Sequence, residues 1–202
     1  MNVIVFLFEL SLGKGLNEFI FSFGVIPARF IADVNDMRID LATFFPFFSS
    51  MFLHGGWMHM IGNMWFLYIF GDNVEDQFGH GKYILFYISA GLVAAATQVF
   101  IGPDSNVPMV GASGAIAGVL GAYVFMFPGA KVSTLIPFFG FFQIIQLPAF
   151  IVLGFWFVMQ IFSGVMVLGI AGDAGGVAWW AHIGGFAVGA LLFPFLRRRS
   201  WD

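Results

Sequence analysis

VPMVGASGAIAGVLGAY, Val107–Tyr123, is an uncharged run of glycine, alanine and aliphatic residues interrupted by one serine, Ser113. Ser113, Ala117 and Gly121 recur every four residues, and Gly114 with Gly118 adds a GxxxG pair beside them. Small residues at this spacing let two membrane helices approach until their backbones touch. The stretch therefore reads as a closely packed membrane helix. A serine in such a helix commonly bonds its own backbone and serves packing. Whether this oxygen also does chemistry depends on what the rest of the chain brings to the same depth.

The composition supports a membrane setting. Of 202 residues, 60% are hydrophobic and 9% charged, with 29 Phe and 26 Gly, whereas a soluble domain carries about a quarter charged residues. A globule of this length cannot hide so much apolar side chain, so lipid is the expected solvent. The net charge of −3 gives no sign of nucleic-acid binding, and the absence of cysteine excludes disulfides, thiolate catalysis and thiolate metal sites. No basic run precedes VIVFLFEL and no small-residue cleavage site follows it, so a cleavable signal peptide is not expected.

Five segments approach spanning length: 57–71, 83–101, 112–127, 148–169 and 178–196. A sixth, Asn2 to Leu12, is too short to span and carries Glu9; it reads as the end of a first membrane helix that looks truncated. The fold expected is an all-α integral membrane protein of one domain, residues 1–202. Segment 13–56 is too apolar for an ordinary loop. Its stretch LATFFPFFSSMFLHGG, which Pro46 should break, suits a re-entrant or interfacial element. The connection LIPFFGFFQIIQLPAF, around Pro137 and Pro148, likewise reads as interfacial. Lys82, Lys131 and Arg197 to Arg199 fall on one side of the membrane, and the short loops 102–111 and 170–177 on the other side carry no Lys or Arg. This bias predicts cytoplasmic termini.

Polar side chains inside a spanning helix are functional candidates. Four stand out: His59, Asn63, Ser113 and His182, with His54 just ahead of them in HGGWMHMIGN. At 1.5 Å per residue, Ser113 and His182 each lie roughly 21 Å from the inner end of their helices, and His59 roughly 18 Å. Three polar groups from three helices thus share one height. His59 and Asn63, four apart, share a helix face, as do His182, Gly185 and Gly189. If the His182 strip meets the Ser113 strip, the two side chains come within hydrogen-bond reach, as a serine nucleophile and its general base require. Other chemistries fit less well. A zinc protease wants HExxH, but His54 and His59 are five apart with no Glu following either. No two carboxylates share membrane depth, as an aspartyl protease would need. A transporter usually shows internal repeats or broken charged helices.

In this order, HGGWMHMIGN, GDNVEDQFGHGKY with Glu75 and Gly79, GASG at Gly111 to Gly114, and AHIGGFAVG at Ala181 to Gly189 resemble the rhomboid family of intramembrane serine proteases. The likeness runs from FGVIPARF at Phe23 to the end of the chain, and LIPFFGFFQIIQLPAFIVLGFWFVMQ is similar to bacterial members. The resemblance implies a six-helix bundle and a dyad of Ser113 as nucleophile and His182 as general base, then acid. It also implies an oxyanion hole from His59, Asn63 and the Ser113 backbone N–H. Gly111 and Gly114 would allow close approach to the serine, and His54 would be structural. No cofactor or metal is implied. The implied partners are single-span transmembrane substrates and the bilayer. The implied setting is a multi-pass protein of a bacterial inner membrane, cutting near the outer boundary in a site open to the outside, with 13–56 or 148–169 gating access. A relative that only binds membrane clients, or a channel, is the alternative class. One departure matters: some members carry an aromatic residue four after the serine that stacks on the histidine. Here that position is Ala117, so the imidazole must be held another way.

Overall fold

A computed structural model describes residues 1–138, 141–168 and 177–198. The chain is mostly helical. Among the described residues, three helices are long and apolar enough to cross a membrane: α7 (His80–Ile101), α9 (Ala149–Leu168, apolar through Val167) and α10 (Trp179–Leu196). Shorter elements are α1 (Asn2–Ser11), α2 (Leu16–Phe23), α3 (Pro27–Asn35), α4 (Leu41–Ser49), α5 (Trp57–Phe66), α6 (Asp72–Phe78) and α8 (Ser113–Met126). Large apolar side chains such as Leu85, Phe155 and Phe195 lie exposed on the outer faces. That distribution suits lipid contact rather than a water-facing surface.

The segment expected over 57–71 runs further. A π-helical turn, Leu67–Gly71, joins α5 to α6, and the backbone stays right-handed helical at both joints. The polar sequence DNVEDQF masks this continuation, because hydropathy ends before the helix does. Gly79 then reverses the chain into α7 at φ +80°, a left-handed conformation in which a side chain would be strained. Arg198 packs its guanidinium against the same glycine, and its N–H donates to Gln77 O at 2.9 Å.

Pro46 does not break its stretch: α4 passes through it with the ring buried. Proline inside a helix forfeits one backbone hydrogen bond. Here the first turn is secured independently by a capping box, in which Asp40 accepts from Thr43 N at 3.0 Å and Thr43 Oγ1 from Asp40 N at 3.3 Å. The other departure from helix is an antiparallel hairpin of β1 (Lys131–Phe138) and β2 (Phe141–Pro148), which occupies the connection read as interfacial. Pro137 pairs with Phe142 and Pro148 with Lys131. Both strands of a two-stranded ribbon are edges, so a missing N–H can face outward at no loss to the ladder. The expected outer loop 170–177 lies outside the described residues except for Val177, as does Arg199.

At the centre, α8 is enclosed by α7 and α10, and nearly every residue from Gly114 to Tyr123 is buried. The α8–α10 contact is backbone against backbone. A methyl added at Gly185 would strike Gly114 O, one at Gly189 would strike Gly118 O, and one at Gly121 would strike Phe186 O. On the far side of α8, Gly114 and Gly118 sit against Ala94 and Ala90 of α7, where a methyl would come within 2.7 and 2.6 Å. A neighbouring helix offers apolar side chains no refuge that lipid does not, so close packing of this kind carries much of the association.

Candidate active site

Ser113 is the first residue of α8 and His182 lies one turn into α10. The glycine contacts above hold these helices in register, and His182 Nε2 lies 2.8 Å from Ser113 Oγ. Both side chains are half-buried. The height of α10 is set from α7. Gln98 Oε1 accepts from the backbone N–H groups of Trp180 and Ala181 at 3.2 and 3.3 Å, satisfying two of the unpaired donors that begin a helix.

The chain approaches Ser113 through a clamped loop. Val25 and Met109 exchange backbone hydrogen bonds at 3.1 and 2.7 Å, and Gly111 N–H donates to Ser50 O at 2.9 Å. Gly111 has φ +125° and lies directly under the His59 ring. A Cβ there would sit 2.6 Å from His59 Nε2 and 3.5 Å from Asn63 Nδ2. Only glycine meets both demands. His59 and Asn63, one turn apart on α5, are thus brought to the backbone two residues before Ser113. The Asn63 Nδ2 donor is buried and has no partner among the described residues. The Ser113 N–H belongs to the first turn of α8, where no intrahelical acceptor exists.

His54 lies outside this cluster. Its backbone N–H donates to both Glu9 carboxylate oxygens at 3.2 Å, and its ring meets the edge of His59 at a centroid separation of 5.2 Å. Burial foremost, then the neighbouring His59, hold its pKa down to about 4, so the ring is neutral. It packs behind His59 and does not reach Ser113. Among the described residues no group of three or more side chains could hold a metal ion.

Sequence reasoning passed over one polar group here. Gln160, in the middle of α9, is 5% exposed and places Oε1 2.7 Å from His182 Nδ1. Its Nε2 donates to Trp156 O at 3.2 Å. The test that picked out His59 and Asn63, a strongly polar side chain at membrane depth, selects Gln160 equally well. Trp156, one turn before it, packs its ring against His182 with centroids 5.7 Å apart and planes tilted by 39°. These contacts come from α9, not from position 117 on α8.

A family model described as the Rhomboid domain matches residues 42–199. Among curated proteins, the chain is 30% identical to the rhomboid protease GluP of Bacillus subtilis, over 61% of this chain and 22% of that protein. It is 31% identical to Rhomboid-like protease 5 of Toxoplasma gondii, over 83% of this chain and 18% of that protein. It is 26% identical to the mitochondrial Rhomboid protein 1 of Saccharomyces cerevisiae, over 58% of this chain and 36% of that protein. The chain thus spans about a fifth to a third of the length of these relatives.

Proposed function

Because the chain belongs to the rhomboid family, we propose that it is an intramembrane serine endopeptidase. Membership and the three long apolar helices make it a multi-pass membrane protein. In this reading a six-helix core, with the segment 13–56 re-entrant or interfacial between its first two helices, holds the dyad in the outer half of a bacterial inner membrane with both termini cytoplasmic. The substrates are single-span transmembrane proteins cut near the outer boundary. The observation that carries the reading is the 2.8 Å contact between Ser113 Oγ and His182 Nε2 on two helices locked by glycine.

Ser113 Oγ attacks the scissile carbonyl as His182 Nε2 takes its proton, and the same proton passes to the leaving amine. The carbonyl oxygen becomes an anion, which in this reading the Ser113 N–H, Asn63 Nδ2 and the His59 ring receive. The positive end of α8 favours the same charge. Water then releases the acyl group from Ser113, with His182 acting as base again. α9 is the least enclosed of the three long helices, with 17% of its apolar window buried against 33% for α7 and α10. That favours its flank as the side from which a substrate helix arrives.

The test is purified full-length protein in lipid vesicles with a fluorescently labelled single-span substrate. Cleavage is expected, with the new N-terminus mapping close to the outer boundary. No cleavage across a varied substrate panel, with substrate still retained on the protein, favours a client-binding relative instead. Asn63→Ala is expected to lower kcat by about 10²–10³ with little change in KM, because the donor acts on charge that develops only in the transition state. An unchanged kcat removes Asn63 from the oxyanion site.

A further inference from the structure

We infer that Gln160 is a positioning residue that fixes the tautomer and ring orientation of His182. The inference rests on the dyad reading above. The Trp156 carbonyl can only accept a hydrogen bond, so the group facing it at 3.2 Å is the Gln160 NH₂. The Gln160 amide oxygen therefore faces His182 Nδ1 at 2.7 Å. That oxygen also can only accept, so Nδ1 carries the ring proton. In a neutral imidazole the other nitrogen is then bare. Nε2 thus presents its lone pair to Ser113 Oγ–H at 2.8 Å. One backbone carbonyl of α9 orders the whole chain of donors and acceptors through to the nucleophile.

The choice of an amide suits the location. A carboxylate in this position would have to be stripped of water at membrane depth, which is far more costly than burying a neutral amide with both ends bonded. Gln160 has both ends bonded. When His182 takes the serine proton, Nδ1–H keeps its acceptor and the cation gains a stronger bond to the same oxygen. Trp156 limits rotation of the ring from the α9 side. Together these residues do what Ala117 cannot.

The experiment compares Gln160→Leu and Gln160→Glu with the parent in the vesicle assay, alongside Ser113→Ala and His182→Ala. Leucine removes the acceptor at similar volume; glutamate keeps an acceptor and adds charge. Gln160→Leu is expected to lower kcat about 10²-fold, the lower range for impaired general-base catalysis, with KM within about twofold. Gln160→Glu is expected to retain more activity than Gln160→Leu. A packing role leaves Gln160→Leu at parental kcat, since leucine suits an apolar helix, and that result overturns the inference. Nitrogen-15 spectra of the His182 ring, assigned by loss in His182→Ala, give a second reading that needs no folded Gln160 variant. The parent should show protonated Nδ1 and bare Nε2, and the opposite tautomer overturns the inference. If Ser113→Ala is inactive while Gln160→Leu keeps parental kcat, the positioning role fails and the dyad stands. Cleavage that persists in Ser113→Ala removes the dyad itself.

Discussion

Ser113→Ala and His182→Ala are each expected to lower kcat for a transmembrane substrate by about 10⁴–10⁶, with substrate still bound. Alanine at 113 leaves no oxygen to form the acyl intermediate. Alanine at 182 leaves a serine whose proton has no acceptor among the described residues, and a neutral hydroxyl is a poor nucleophile. The two residues act as one unit, so the double variant should be no slower than the slower single variant. Residual activity would come from the oxyanion donors and binding. Initial rates in vesicles, with substrate retention measured in parallel, give the answer. Either single variant cleaving at more than about a hundredth of the parental rate defeats the dyad assignment.

Gly189→Leu should be nearly as damaging, although residue 189 is two turns from the chemistry. Its alpha carbon lies against Gly118 O, and a Cβ would also press on Ala122 N at 2.9 Å. Those are backbone atoms inside a helix, and no side chain can swing aside to make room. The upper end of the usual overpacking penalty, about 3 kcal/mol or more, is expected as a lowered unfolding temperature in detergent. Where the protein remains folded, α10 must move away from α8, and a displacement of about 1 Å at the reacting atoms costs about 10²-fold in rate. Gly154→Ala is the matched control. That glycine is also helical, on α9, but an added methyl meets nothing within 4 Å. It should leave rate unchanged and gain about 0.5–1 kcal/mol in helix propensity. Equal damage from both substitutions would show that helix content matters rather than the α8–α10 seam.

The helical seams were legible in the sequence because their rule is short-range: Gly185 and Gly189 follow His182 at one face's spacing, as do Ala117 and Gly121 after Ser113. The hairpin was not. In LIPFFGFFQIIQLP apolar residues fill both alternating sets, so neither the two-residue nor the 3.6-residue period stands out, and two prolines argue against strand until both strands are known to be edges. The helix 57–78 was cut short for a related reason, since polarity marks the membrane boundary and not the end of the hydrogen-bonded ladder. At the site, His59 and Asn63 announced themselves by their type and four-residue spacing. Gln160 carries the same signal of type and depth, but what it and Gln98 bond did not show, because each acts on a helix far away in sequence, at separations of 22 and more than 80 residues. Such partners appear only when the packing is known.

The glycine seam has a thermal consequence. Glycine and alanine have no rotamers to lose on burial, so the spacing of α8 and α10 is set by main-chain atoms in contact, without torsional play. Warming has little there to excite. The imidazole ring is held differently, through the χ angles of Gln160 and Trp156 on the least enclosed of the three long helices. Thermal agitation should therefore blur the direction in which His182 points well before it widens the gap to Ser113. The temperature dependence of turnover then reports on ring order in α9's neighbourhood, while the spacing of the two helices that carry Ser113 and His182 stays a fixed property of the backbone.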